Sequence, residues 1–431
     1  MFFKVNSTSS LQIYQILRYS AILIVNILLS KTYLSLDELG QLETFLFYFS
    51  LVSFFWINGF IQSILANYKS NNDNKQLIFF NSFIVLLVFS FISAFFLFFF
   101  LDNYQSNTDV YSKFKLFLFI YTLINPVSFL IEYILLLKSR FKHLIYYGVY
   151  SLIIQIILVV LPVFLFHNFY LCFYGLIIFA SLKLLLLIIL LKKHSVFKFS
   201  KVIVFNHLKF SIPLIITSFI AGSESYIDGF IISYKFDSQT FAIFRYGAKE
   251  FPLFLLLANA ISNSMIAEFS SPKSVPKALN ELKLQSKKII ELFLPIVLLL
   301  LATSHILFPL VFNKYFTESY KIFDIYLLLI ISRTVFPQTI LIGLKKTKTI
   351  AYISILEMLI NIISSLILIQ FYGILGVAYG TVIAFFSEKL LLVISLKRKL
   401  NINLTEYLDK KLFFILLLSV FFIFIIKLFI L

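Results

Sequence analysis

The chain has 431 residues, of which 61% are hydrophobic and only 13% charged, and it carries a net charge of +17. Soluble domains are about half apolar and about a quarter charged, so this composition excludes a soluble globular protein and points to a membrane-embedded one. A single cysteine, Cys172, excludes an intrachain disulfide or a cysteine metal centre.

In chain order, Met1–Ser10 is short and polar. It lacks the charged, apolar, then small-residue order of a cleaved signal peptide, so the first span is expected to remain a membrane helix. Thirteen apolar segments follow, near 11–34, 42–67, 76–101, 113–138, 143–166, 169–191, 208–234, 241–267, 287–311, 320–343, 349–371, 375–396 and 411–431. Each is close to the ~20 residues that cross a hydrocarbon core at 1.5 Å per residue. Helices are the open-ended way to satisfy every backbone group in lipid. The longest loops, 192–207 and 268–286, leave no room for a soluble catalytic domain.

The basic residues are unevenly shared between the two sets of alternating loops. Twenty-four lie in the set that includes the N-terminus and six in the other, with seven inside spans. By the positive-inside rule the N-terminus is cytoplasmic. The positive charge is therefore read as a topology signal, and no nucleic-acid partner is expected.

The two halves resemble each other. Tyr174-Gly175, Lys183 and Lys192-Lys193 correspond to Tyr379-Gly380, Lys389 and Lys397-Arg398-Lys399, at an offset of 205 to 206. Leu137-Lys138-Ser139-Arg140 corresponds to Leu344-Lys345-Lys346-Thr347 at 207. Six spans per half make the repeat parallel, with its axis along the membrane normal and a cavity between two lobes. The expected fold is an all-α integral membrane protein of two pseudo-symmetric six-helix bundles (6+6) plus a thirteenth C-terminal helix. The expected divisions are 1–195, 196–400 and 401–431.

Charges at bilayer depth cost at least roughly 2.5–3.5 kcal/mol, so each needs a partner or a wet cavity. The candidates are Arg18, Glu132, Lys183, Glu224, Asp228, Arg245, Lys249, Glu250, Arg333, Glu357, Glu388 and Lys389. Arg18 and Lys183 can also snorkel to the headgroups. Glu224 with Asp228, and Arg245 with Lys249, are i, i+4 pairs on consecutive helices. They face a cavity or an ion, or they form a static network that holds the hairpin. Arg333 is deep in its span and is the single residue most expected in the lumen. Glu357 and Asn361 form another i, i+4 pair. Glu388 and Lys389 diverge by about 100° around the helix and are not expected to pair. Lys427 is read as peripheral. Prolines within spans, including Pro126, Pro162, Pro213, Pro252, Pro295 and Pro337, invite kinks. No phosphate loop, metal cluster or nucleophile constellation stands out, so an enzyme is not expected.

The stretch Ser225-Tyr-Ile-Asp228-Gly-Phe-Ile-Ile-Ser233, then Phe241-Ala-Ile-Phe-Arg245-Tyr-Gly-Ala-Lys249-Glu250-Phe-Pro252, resembles the second-lobe signature of polysaccharide (Wzx-type, O-antigen) flippases. These belong to the superfamily that also holds the multidrug MATE exporters and the lipid II flippases. Leu34-Ser-Leu-Asp-Glu-Leu-Gly40 resembles that family's loop after the first helix.

The resemblance implies a flippase of the bacterial inner membrane. Its cargo would be an undecaprenyl-pyrophosphate-linked oligosaccharide, moved by alternating access for O-antigen or capsule synthesis. It also implies work beside a polysaccharide polymerase and a chain-length regulator, and it places Asp228, Arg245, Lys249 and Glu250 at the central cavity of the second lobe. A pyrophosphate needs cationic groups in low dielectric, and the available ones are Arg18, Lys183, Arg245, Lys249, Arg333 and Lys389. No cofactor is expected beyond a coupling H+ or Na+, for which Glu224, Asp228 or Glu357 is the titratable choice. A multidrug cation antiporter and a membrane-bound polysaccharide polymerase are the alternatives.

Overall fold

The computed structural model describes residues 7–70, 75–104, 109–249, 252–269 and 275–430, and among them no strand occurs. The first helices are α1 (Ser7–Ser30), α2 (Leu36–Ser70), α3 (Lys75–Tyr104), α4 (Asp109–Ile124), α5 (Leu130–Leu137), α6 (Phe141–Gln155), α7 (Leu161–Phe166), α8 (Tyr170–His194) and α9 (Lys201–Lys235). They are followed by α10 (Ser238–Gly247), α11 (Pro252–Glu268), α12 (Val275–Val311), α13 (Ser319–Leu327), α14 (Leu329–Arg333), α15 (Pro337–Gly343), α16 (Thr347–Tyr372), α17 (Ile374–Leu400), α18 (Leu404–Tyr407) and α19 (Lys410–Ile430).

Among the described residues, eleven helices are long and apolar enough to cross a membrane. A twelfth span arises if Ser319–Arg333 and Pro337–Gly343, bent by 44°, count as one. The expected span at 241–267 is instead two helices, α10 and α11. Pro252 is the first described residue of α11, a position where its missing N–H is harmless.

Proline chemistry accounts for three further breaks, whereas Pro213, Pro295 and Pro309 lie inside continuous helices. Between α4 and α5 the chain tightens into a 3₁₀ turn, Pro126–Phe129. Ahead of Pro162 it loosens into a single π turn, Ile156–Val160, between α6 and α7. Pro337 is the first residue of α15. Each proline removes a backbone donor, and the neighbouring turn adjusts to it.

The chain packs as two compact units, Met1–Gly222 and Ser223–Leu431. The first half of α9 belongs to the first unit. It approaches α2 so closely that a Cβ on Gly59 would strike the backbone of Leu214 and Ile215. The core of this unit gathers Trp56, Phe60 and Ile64 from α2, Phe79 and Leu86 from α3, Ile131 and Ile134 from α5, and Leu187 from α8. The Trp56 indole donates to Val52 O at 2.8 Å and Ser93 Oγ at 3.0 Å, so its one polar group is satisfied inside the core.

The two units share turns at an offset of 206. Ser139 (φ 54) and Lys345 (φ 59) both take the left-handed conformation. After α5, the N–H of Arg140 donates to Leu135 O and that of Ser139 to Leu136 O; after α15, Lys346 donates to Leu341 O and Lys345 to Ile342 O. This is the paired closure that ends a helix on a left-handed residue. His167 (φ 52, ψ 32) and Gly373 (φ 56, ψ −136) also take positive φ at this offset, with different ψ, ahead of α8 and α17. Gly175 packs against Leu158 and Gly380 against Ser365, each leaving no room for a Cβ.

Candidate functional site

Two sets of polar residues stand at helix breaks and on the helices that face them. In the first unit, Nη1 of Arg18 (α1) lies 3.2 Å from Oε1 of Glu132 (α5). The Arg18 side chain is 34% exposed and that of Glu132 only 2%. Tyr14, Tyr19 and Phe129 surround the guanidinium at 5.9, 5.9 and 5.5 Å, a geometry in which ring faces stabilise the cation. Lys183 (α8) donates to Asn125 Oδ1 at 2.5 Å and feels the charges of Glu132 and Arg18. Asn125 immediately precedes the 3₁₀ turn, so the lysine is tied to the break in the fourth span. Arg18, Lys183 and Glu132 together have a formal charge of +1.

The second unit carries a counterpart. Lys389 (α17) lies 3.1 Å from Oε2 of Glu388 and donates to Gln338 Oε1 at 3.4 Å, while Gln338 in turn donates to Glu388. This corrects the expectation that Glu388 and Lys389 do not pair. Their backbone directions diverge, but the long lysine stem folds back, and Gln338 from α15 bridges both ends. Arg333 is the last residue of α14, at the break before α15. Its Cζ lies 4.6 Å from the centre of the Phe385 ring. Arg333, Lys389 and Glu388 again carry a formal +1.

The correspondence is positional. Lys389 stands 206 residues after Lys183, Gln338 after Glu132 and Phe385 after Phe179. Lys183 lies over Phe179 at 4.8 Å, as Arg333 does over Phe385. In these two basic stations the lysine, the ring and the residue opposite share this register, while Arg18 and Arg333 do not, their counterparts being Glu224 and Val127.

A third cluster belongs to the second unit. Asp228 (α9) is 6% exposed and accepts from the Tyr326 hydroxyl of α13, from Thr381 Oγ1 of α17 at 2.5 Å and from Asn361 Nδ2 of α16 at 3.4 Å. These donors offset the loss of water around the carboxylate. Ser365 extends the network by donating to Asn361 Oδ1 at 3.0 Å and Val377 O at 3.4 Å. Glu357, Asn361 and Ser365 are all buried and lie four residues apart, on one face of α16. At an offset of 206, Asp228 and Asn361 correspond to Ile22 and Gln155, so the carboxylate is particular to the second half. Two of its donors are hydroxyls and the third is the Asn361 amide nitrogen, so the one formal charge in the cluster is the carboxylate's own. Among the described residues no group of three His, Cys, Asp or Glu could hold a metal ion.

The remaining sequence candidates are placed as follows. Arg245 is half-buried in α10. Lys249 sits just beyond that helix with its Nζ 4.2 Å from the Tyr246 ring centre. The side chains of Glu224 and Glu250 lie outside the described residues.

Sequence reasoning missed Asn125, Gln338, Tyr326, Thr381 and Asp324, and it took Lys427 for peripheral. Lys427 is buried and lies 2.7 Å from Asp324 Oδ2. It is the lone charge in α19 beyond Lys410 and Lys411, and that isolation was the available signal. The 206-residue offset would have found Gln338 opposite Glu132.

Residues 32–321 match the family described as "Polysaccharide biosynthesis protein". The chain belongs to this family. Comparison with curated proteins gives no match. Among solved structures, the fold is similar to the lipid II flippase MurJ in an inward closed conformation. The TM-score is 0.68 at 20% identity, over 96% of this chain and 97% of that one. It is also similar to an inward-facing multidrug resistance MATE family transporter of the MOP superfamily, with a TM-score of 0.65 at 11% identity over 92% and 98%. The eukaryotic MATE transporter AtDTX14 matches with a TM-score of 0.63 at 14% identity over 96% and 97%. This member of the polysaccharide biosynthesis family is therefore a multi-pass membrane protein with the MurJ and MATE fold.

Proposed function

We propose that this family member is a flippase that carries undecaprenyl-pyrophosphate-linked oligosaccharide units across the bacterial cytoplasmic membrane, for O-antigen or capsule synthesis. The observation that supports it most is the pair of net-positive stations inside apolar bundles, in a chain of the polysaccharide biosynthesis family. A pyrophosphate is an anion whose passage through low dielectric requires cations. Arg18 and Arg333 supply planar forks that grip phosphate oxygens two at a time, and Lys183 and Lys389 supply point charges. Arg245 and Lys249 are further contacts of the same kind. Glu132, Gln338 and Glu388 hold these cations in place while the cargo is absent. The N-terminus is cytoplasmic, the cycle is alternating access, and the product is handed to a polymerase and a chain-length regulator. The protein transports and does not catalyse.

Asp228 is the coupling acid of the cycle. Protonated or bound to Na+, it ties α9 to α13, α16 and α17 with its charge neutralised; emptied, it leaves a buried carboxylate that must be resolvated or held by more donors. Glu357 and Glu224 on the neighbouring turns are secondary choices.

The test is complementation of a flippase-deficient strain, with surface polysaccharide and accumulated lipid-linked intermediate as readouts. The wild-type chain is expected to restore export, and Arg333→Ala, correctly inserted, to abolish it. No rescue in strains of any repeat-unit chemistry, together with lowered accumulation of a cationic dye, would instead assign the chain to multidrug export.

A further inference from the structure

The end of the second unit away from Lys397-Arg398-Lys399 holds a cavity of about 250 Å³. It is bounded by α13, α17 and α19, and its walls include Tyr320, Lys321, Asp324, Tyr379, Phe424 and Lys427. The first two turns of α17 and the last two of α19 contribute to it, which places it near one end of both helices.

Its floor is a saturated ion pair. Lys427 Nζ lies 2.7 Å from Asp324 Oδ2 and donates to Leu301 O at 2.7 Å and to Ser304 Oγ. Ser304 donates to the other Asp324 oxygen at 2.6 Å. A lysine this close to the helix end could have reached the interface by snorkelling. It turns inward instead and fixes α19 against α12 and α13.

Above that floor stand groups with unused capacity. Tyr320 is 8% exposed and no described residue bonds its hydroxyl. The Tyr379 hydroxyl likewise has no described partner, its ring lying edge-on to Tyr372 at 5.6 Å. Lys321 is 37% exposed and holds Glu318 at 2.8 Å through one of its three donors. Phe424 carries the wall into the lipid-facing surface of α19, where Phe422, Ile425 and Phe429 are exposed. The charged walls sum to +1, with Glu318 beside Lys321 just outside them.

We infer that this cavity is a binding site for the phosphate headgroup of an anionic phospholipid, with Lys321 and the Tyr320 and Tyr379 hydroxyls on the phosphate and an acyl chain along α19. The volume is below the roughly 300–1,000 Å³ of drug-sized ligand sites, so the site takes one small headgroup and not an oligosaccharide. Two phenols at the end of the bundle match the interfacial position where Tyr combines an apolar ring with a polar tip. The proposal stands apart from the transport reading, because none of these residues belongs to the two basic stations or to the Asp228 cluster.

The test is native mass spectrometry of the purified full chain after stepwise detergent washing, with phosphatidylglycerol, phosphatidylcholine or inorganic phosphate added back. The wild type is expected to retain about one phosphatidylglycerol in preference to phosphatidylcholine. Tyr320→Phe with Lys321→Gln, which leaves the Lys427–Asp324 pair intact, is expected to lower that retention about tenfold while eluting as the same monodisperse species. Inorganic phosphate at equal concentration is expected not to displace the lipid. Undiminished retention in the double variant, equal retention of phosphatidylcholine, or displacement by inorganic phosphate would each overturn the assignment. Should the double variant not purify, Lys321→Glu alone serves as the same test, with loss of phosphatidylglycerol expected and unchanged retention overturning it.

Discussion

Lys183 donates to the side-chain oxygen of Asn125 across 2.5 Å, joining the sixth span to the break in the fourth. The ammonium is thereby held among the helices by a neutral partner, with Glu132 and Arg18 near enough to act on it. A neutral partner leaves the positive charge of the station uncancelled, which is what an anionic cargo requires.

Lys183→Met removes that charge and is expected to cut polysaccharide export at least tenfold in the complementation assay, with membrane insertion retained. Lys183→Arg keeps the charge and is expected to retain a measurable fraction. Full export by the methionine variant would remove Lys183 from the cargo path.

Asp228→Asn is expected to abolish stabilisation by the coupling ion. A ligand at one hundred times its Kd adds about 2.7 kcal/mol to the native state. The wild-type melting temperature in detergent should therefore rise with added Na+, or with falling pH if the proton couples, and the variant should stay flat. Thr381→Val, which deletes one donor to the same carboxylate, should show a weakened response. A wild type insensitive to both Na+ and pH would argue against this cluster as the coupling site.

The buried pair of Asp324 and Lys427 yields a signed stability expectation. Lys427→Met strands a buried carboxylate and should cost about 3–5 kcal/mol. Adding Asp324→Leu removes the stranded charge and should recover most of that loss. Equal destabilisation in the single and double variants would show that the charges do not interact.

Ser139 and Lys345 both adopt positive φ without being glycine. A left-handed residue with a Cβ costs roughly 1–2 kcal/mol relative to right-handed backbone, part of which glycine returns as unfolded-state entropy. Ser139→Gly and Lys345→Gly are each expected to raise stability by a few tenths to about 1 kcal/mol. Thermal melts that fall in both variants would contradict the turn geometry.

Much of this architecture was legible in the sequence because lipid forces it. Segments of apolar length must be helices, and the 206-residue register was visible in Lys183 and Lys389. Charges such as Arg18, Lys183 and Asp228 stood out against an apolar background. The helix breaks were less legible. A proline announces a disturbance, but only packing decides whether it becomes the 3₁₀ turn at Pro126, the π turn ahead of Pro162 or the interruption before Pro337. Neutral partners were invisible for a related reason. Asn125, Gln338 and Thr381 are ordinary polar residues until the fold sets them beside a charge. Asp324 and Lys427 lie far apart in sequence, and nothing local in either segment names the other.

The repeated turns after α5 and α15 also give the protein an internal control. A substitution in one half has a structurally matched partner 206 residues away, in the same lipid, the same cell and the same polypeptide. Where both members of a matched pair respond alike, the effect belongs to the helix hairpin they share. Where only one responds, as expected for Asp228 against Ile22, the difference isolates what is particular to the second half.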